Sequence, residues 1–300
     1  MNFKIGLIIQ GPLDSPGIRG PFLRDKPLLK DKPRVTKNEQ EIYTDFDCTK
    51  NIIDLANSAD KYFDEIVLST WQNSNLEILK KNKSISELIV NDENESRNYK
   101  NMFFSLKVAC DYLDTKNLDF IVKVRTDLSV NLKLLYEECQ KACLKNTILI
   151  NNNIRDRKRF LEFDDFIFGG NSDFFIKWMK NVTYIDFGKP SGVHSSHSSL
   201  FISYLWTKFN SNSYLPKILF FHKNVINNSN KISNIAIQEW ESFHILDKIF
   251  WKDSKLRGEH LDRRYYDHAP AKPYKTSHKI KYNFRAFFRY LKNKYIKDTF

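Results

Sequence analysis

The chain has 300 residues, 41% hydrophobic and 14% aromatic, which excludes a disordered chain and supplies a core for one large domain or two modest ones. Its formal charge of +12, from 48 Lys and Arg against 36 Asp and Glu, implies attraction to anions: nucleic acid, anionic lipid headgroups or phosphorylated small molecules. Cys48, Cys110, Cys139 and Cys143 include no CxxC pair, and no run of 18 apolar residues occurs, so buried thiols in a reducing cytoplasm are expected rather than a disulfide framework, a zinc site or a membrane span.

In chain order, Phe3 to Ile9 reads as a buried strand, broken by Gln10-Gly11-Pro12. Residues 13 to 38 carry Pro16, Pro21, Pro27 and Pro33 among Lys and Arg, the composition of a long basic loop leaving that strand end. From Thr44, the spacing of Cys48, Ile52, Leu55 and Ala56 predicts a helix, with Asp45 or Asp47 as its cap. Glu65 to Trp71 is a second strand, ending in Ser69, Thr70 and Trp71. Hydroxyls and an indole there can bond and stack on a nucleobase, although a half-buried core role is the commoner fate of Trp.

A short helix near Leu76 to Asn82 leads to a third strand, Glu87 to Asp92. Asn98, Lys100 and Asn101 then open a helix whose apolar face is Met102, Leu106, Ala109, Cys110 and Leu113. Unpaired amides at such a helix start suit a diphosphate, and simple capping by Asn98 explains the same residues. Phe120, Ile121, Val122 and Val124 form the next strand, with Lys123 within it and Arg125 and Asp127 at its exit. In open α/β sheets ligands collect outside the carboxyl ends of the strands; a carboxylate there can hold a divalent metal and a guanidinium can answer phosphate.

A helix over Leu132 to Leu144 and a strand over Thr147 to Ile150 follow, then a basic loop from Asn151 to Arg159. Asp164 and Asp165 stand before the aromatic run Phe166-Ile167-Phe168-Gly169-Gly170. Neighbours in a strand face opposite sides, so one of the two, not both, is the acid/base candidate. Asp173 begins an amphipathic helix containing Phe174, Phe175, Trp178 and Met179. Alternating strands and helices to about Lys180 predict an α/β fold with a mostly parallel sheet flanked by helices. Residues 1–190 are expected to form this α/β region, and 191–278 a helical portion of the same domain.

Within that portion His194 to Lys208, Leu215 to Val225 and Ile235 to Trp251 read as helical. His194 and His197, three apart, read as a Ser/His-rich helix entrance rather than a metal pair. Glu239 and Glu241 are runner-up bases, more simply acids that suit a helix dipole. In the tail, residues 279–300, Tyr282, Phe284, Phe287, Phe288, Leu291 and Tyr295 are interleaved with cations. That pattern suits a helix on an anionic membrane surface, although RNA binding or packing on the domain would use the same ingredients. GxSxG, HExxH, a P-loop and GxGxxG are all missing, which removes the usual hydrolase, zincin, NTPase and dinucleotide-enzyme readings.

The order Ile5-Gly6-Leu7-Ile8-Ile9-Gln10-Gly11-Pro12, Ile66-Val67-Leu68-Ser69-Thr70-Trp71, Asn98 with Asn101, Val122-Lys123-Val124-Arg125-Thr126-Asp127, and Asp165-Phe166-Ile167-Phe168-Gly169 resembles the WavE family of bacterial lipopolysaccharide-synthesis proteins over roughly residues 3 to 180. The resemblance implies a GT-A-like (Rossmann-like) glycosyltransferase, moving a sugar from a nucleotide donor to a lipopolysaccharide, lipooligosaccharide or capsule acceptor. Arg125-Thr126-Asp127 would take the place of the family's Lys-x-Arg-Ser-Asp stretch and of the GT-A Asp-x-Asp metal motif, with only the last carboxylate present. The implied donor site comprises Gln10, Gly11, Pro12, Ser69, Thr70, Trp71, Asn98, Lys100, Asn101, Lys123, Arg125 and Asp127. In a metal-dependent enzyme Asp127 would hold Mg²⁺ or Mn²⁺; in a metal-free one Arg125, Lys123 or a basic lid residue would steady the diphosphate. Asp165 is the expected base of an inverting transfer, with Asp164 and Glu239 behind it. The expected partners are the donor, a glycan or glycolipid acceptor and, through the tail, the inner-membrane surface, with no nucleic acid. The competing class, a non-catalytic basic protein binding nucleic acid or membrane, gives no reason for polar groups at successive strand exits.

Overall fold

The structure is a computed structural model that describes residues 2–15, 46–71, 76–91, 98–151, 165–182, 195–211, 238–239, 242–246 and 255–256. Strands β1 (Ile5–Gln10), β2 (Asp14–Ser15) and β3 (Phe46–Asp47) precede helix α1 (Thr49–Ala59). There follow β4 (Glu65–Trp71), α2 (Leu76–Lys80), β5 (Glu87–Asn91), α3 (Asn98–Leu113), β6 (Phe120–Arg125) and β7 (Leu128–Ser129). The remaining elements are α4 (Leu132–Leu144), β8 (Leu149–Asn151), β9 (Phe168–Asn171), α5 (Ser172–Asn181), α6 (Ser195–Ser211), β10 (His244–Leu246) and β11 (Lys255–Leu256).

Seven of these strands form one sheet in the order β10-β8-β9-β6-β1-β4-β5. β1 pairs in parallel with β4 and β6, β4 with β5, and β10 with β8, whereas β9 runs antiparallel to both of its neighbours. The expected mostly parallel α/β sheet flanked by helices is therefore present. β1 is buried along its whole length, as an apolar run must be when helices cover both faces of a parallel sheet.

Alternation along the strands divides the core between those faces. Ile5, Leu7, Ile9, Leu68, Val122 and Val124 pack with α1 and α4, while Ile8, Val67, Ile121 and Phe168 pack with α3, α5 and α6. Trp178 anchors the second layer: it is fully buried, lies 5.4 Å from the Phe168 ring and 5.6 Å from Tyr204, and its indole Nε1 donates to the Leu200 carbonyl at 3.1 Å. The indole thus meets the usual need of a buried Trp for a polar partner.

Several boundaries differ from the sequence reading. α1 begins after Cys48, which makes no side-chain capping bond. Asp47 is drawn instead into the β2–β3 ladder opposite Asp14, and the Cys48 amide donates to the Leu13 carbonyl at 2.7 Å. His244 to Leu246, expected as helix, is a strand beside β8. The exposed flank of β8 offers three residues of unpaired backbone, and that long-range pairing outweighs local helical spacing. β10 also ties residues beyond 190 to the main sheet. The expected helix over Leu215 to Val225, Asp164, Glu241, His194 and the basic tail lie outside the described residues.

Candidate active site

Parallel strands deliver their exits to one rim of the sheet. Gln10, Trp71 and Arg125 end β1, β4 and β6, three strands that are neighbours in the sheet. Because β9 is antiparallel, its start rather than its end lies at this rim, with Phe168 opposite Lys123; Asp165 and Phe166 just before it are thereby carried to Arg125. α3 begins at the same rim, since Ser105 near its start accepts from Gln10 Nε2 through its hydroxyl and from Ser69 Oγ through its carbonyl, at the ends of β1 and β4. Asn98, Lys100 and Asn101 lie in its first turn.

The charged heart of the rim is a short chain of ion pairs. Arg125 forks onto Asp127, Nε donating to Oδ1 at 2.8 Å and Nη2 to Oδ2 at 2.7 Å, the bidentate geometry that makes such pairs strong. Its Nη1 faces Asp165 Oδ1 at 3.6 Å, and the guanidinium lies 4.8 Å from the centre of the Phe166 ring. His197, in the first turn of α6, brings Nε2 to 3.4 Å from the same Asp165 oxygen. Lys123 is wholly buried; its ammonium donates to the Asp165 carbonyl and lies 5.4 Å from the centre of the Phe168 ring. Burial pushes the Asp165 carboxyl up, but His197, then Arg125 and Lys123, outweigh it and hold the group well below the usual carboxylate range. Asp165 is consequently ionised at neutral pH.

The backbone beneath these groups is fastened to α1 and β1. The Thr126 amide donates to the Gln10 carbonyl at 3.2 Å and its hydroxyl to the Pro12 carbonyl at 2.8 Å. Asn51 of α1 donates through Nδ2 to the carbonyls of Thr126 and Leu128 at 2.7 and 3.3 Å. Gly11 has φ +149°, and a Cβ there would meet Thr126 Oγ1 at 2.4 Å, so glycine is required for β1 to turn over this loop. β7 pairs antiparallel with β11, which places Lys255 and Leu256 beside the residues that follow Asp127.

Other expected donor residues have internal partners. Gln10 Nε2 donates to Ser105 Oγ at 2.9 Å, Ser69 Oγ to the Ser105 carbonyl at 2.9 Å, and Asn91 Nδ2 to Ser69 Oγ at 3.1 Å and the Thr70 carbonyl at 2.8 Å. This buried network joins β1, β4, β5 and α3. Thr70 Oγ1, Trp71 Nε1 and both side-chain polar atoms of Asn151, which ends β8 at the same rim, are buried without a hydrogen-bond partner. Ser69 and Trp71 share the α3 face of β4, and Thr70 takes the opposite face. Pro12 is exposed.

Glu239 sits apart from the Asp165 cluster in its contacts: its Oε2 accepts from the Tyr204 hydroxyl at 2.5 Å and the Lys208 ammonium at 2.6 Å. Burial and then the Glu239 carboxylate push the Tyr204 phenol far up, so that phenol stays protonated and keeps donating. His197 is the functional candidate the sequence reading passed over, its one signal being the three-residue spacing from His194.

The described residues at this rim do not make a metal set. Both oxygens of Asp127 are taken by Arg125, and the nearer carboxylate, Asp165, faces Arg125 and His197. Among the described residues no group of three His, Cys, Asp or Glu side chains is placed to hold a metal ion.

No family model matches the chain, and no curated protein matches it. The solved structures that resemble it at low identity include the following three. A protein described as a nucleotide-diphospho-sugar transferase, from Desulfovibrio desulfuricans G20, is 9% identical, with 69% of this chain and 78% of that one covered and a TM-score of 0.39. HddC from Yersinia pseudotuberculosis, complexed with GMP-PN, is 12% identical over 58% of this chain and 79% of that one, with a TM-score of 0.34. The 4-diphosphocytidyl-2C-methyl-D-erythritol synthase of Anaerococcus prevotii DSM 20548 is 12% identical over 68% and 83%, with a TM-score of 0.39. No helix among the described residues is long and apolar enough to cross a membrane.

Proposed function

We propose that the chain is a glycosyltransferase that takes a sugar from a nucleotide-sugar donor and places it on a hydroxyl of a bacterial surface glycan or glycolipid. The observation that carries this reading is the grouping, at one rim, of the Arg125–Asp127–Asp165–His197 chain with buried, unpartnered polar atoms of Thr70, Trp71 and Asn151. Native proteins rarely leave buried polar atoms unpaired, and a polar ligand docking at this rim would supply their partners. A basic protein that binds surfaces without catalysis would have no use for such a rim. The choice of surface glycan as acceptor rests on the resemblance of the motif order to WavE proteins.

In the proposed reaction the acceptor oxygen forms a bond to the anomeric carbon as the bond from that carbon to the donor phosphate oxygen breaks. The electron pair leaves with the nucleotide, near Arg125 and the start of α3, where positive charge and unpaired amides oppose the growing negative charge. The acceptor proton passes to the Asp165–His197 pair, in which Asp165 is already ionised. Attack opposite the leaving group gives inversion.

Product analysis with a panel of nucleotide sugars and truncated surface glycans tests the reading. Nucleotide release that depends on acceptor, lost in Asp127→Ala with an unchanged circular dichroism spectrum, is the expected result. Turnover retained in that variant would sink the site assignment, and a product in which a nucleotidyl or phosphoryl group has moved would sink the reaction class.

A further inference from the structure

Resting on that donor site, we infer that Arg125 is its resident cation and that the chain binds nucleoside diphosphates and their sugar conjugates without a divalent metal. The guanidinium stands between two carboxylates, within 2.8 Å of both Asp127 oxygens and at 3.6 Å from Asp165. That is the place a metal bridging this rim to a diphosphate would need. A hard divalent cation would have to take at least one Asp127 oxygen at about 2.0–2.6 Å, which breaks the fork. Asp127 is only 2% exposed, so its carboxylate cannot turn out to meet an ion in solvent while the pair persists. Arg125 is held from a second side, its guanidinium carbon lying 4.8 Å from the centre of the Phe166 ring.

The charge bookkeeping also favours this assignment. With His197 protonated, Arg125, Lys123 and His197 outnumber the carboxylates of Asp127 and Asp165 by one charge, an excess that opposes the charge on a departing diphosphate without a metal. A guanidinium is charged at every accessible pH and matches phosphate oxygens with paired N–H groups. Asp127 then has a positioning role: it fixes the plane and rotamer of Arg125 at the end of β6. The stretch for which the WavE resemblance implied a metal site thereby serves an arginine instead.

Calorimetric titration of the full chain with uridine, guanosine, cytidine and thymidine diphosphates and their sugar conjugates, in EDTA and then in Mg²⁺ or Mn²⁺, tests this. At least one nucleotide is expected to bind with a Kd that differs by less than about twofold between the two conditions. Arg125→Lys, checked for folding by thermal melting, keeps the charge but not the fork, and is expected to weaken binding in EDTA by about tenfold or more, the worth of one charged hydrogen bond. Mn²⁺ alone, followed by electron paramagnetic resonance, is expected to show no Asp127-dependent site. Tight nucleotide binding only with metal, Mn²⁺ binding lost in Asp127→Asn, or wild-type affinity in Arg125→Lys would overturn the inference while leaving the donor site standing. Failure of every nucleotide to bind in either condition would remove the donor site itself.

Discussion

The Arg125–Asp127 fork makes a quantitative demand on stability. Asp127 has a side chain only 2% exposed and Arg125 one that is 23% exposed, so Arg125→Met leaves a buried carboxylate without its partner. Breaking a buried pair from one side costs about 3–5 kcal/mol, and the partial exposure of Arg125 places this case near the low end, about 3 kcal/mol. Asp127→Asn preserves shape and leaves the guanidinium facing Asp165, a cost of about 2 kcal/mol. In Arg125→Met with Asp127→Asn together no charge is stranded, and the total should stay near 2 kcal/mol, a coupling of about 3 kcal/mol between the sites. Urea unfolding of the four proteins, followed by tryptophan fluorescence and circular dichroism, measures it. Single variants that each cost under about 1 kcal/mol and add would mean that the pair behaves as an exposed one, and the reasoning about Asp127 and its cation would fail.

Two further outcomes follow from the loop and from Asp165. Gly11→Ala should destabilise the chain by about 2–3 kcal/mol, through an unfavourable φ and a collision with Thr126. Thr126→Ala in the same chain should return only part of the loss, because the backbone conformation remains; full recovery on unfolding curves would show that the clash alone mattered. The Asp165 carboxyl is held below its ordinary value, so its contribution is present above the unfolded pKa of about 3.9 and is lost as pH falls through the folded value. The stability gap between wild type and Asp165→Asn should therefore be widest near neutral pH and close as the pH drops below about 4. Urea midpoints across that range that keep a constant gap would contradict the cationic surroundings assigned to Asp165.

Much of the sheet was legible because β1, β4 and β6 are apolar runs long enough to be buried from both sides, and α4 follows its apolar spacing from Leu132 to Leu144 as expected. What escaped was made by partners distant in sequence. β10 has three residues and exists because β8 presents a flank to it; β2 and β3 are two residues each and define one another. The same contrast holds in the site. The placement of Arg125, Asp127 and Asp165 at the rim could be read because each stands next to a strand terminus. His197 could not, because its significance is its approach to Asp165, fixed by the packing of α6 against α5. The direction of β9 was also invisible, since alternation of apolar residues reads the same along a parallel or an antiparallel strand; it is that direction which delivers Asp165 to the rim.

The polar residues at the strand ends divide by whether they answer one another. Gln10, Ser69, Asn91 and Ser105 form a buried network that joins three strands to α3. Satisfied buried polar networks rigidify their surroundings, so these side chains hold the rim in shape, and a ligand would have to break their bonds to use them. Thr70, Trp71 and Asn151 stand in the opposite condition, buried with polar atoms unpaired. Each such atom forfeits the hydrogen bond it had with water in the unfolded chain, a loss of about 1–3 kcal/mol, and a ligand that supplies the partner recovers it. Under the proposed function, affinity at this rim should therefore come from the residues that weaken the empty protein, while Gln10 and Ser69, expected from sequence to touch the donor, would act by holding the strand ends beside Arg125 and Asp165.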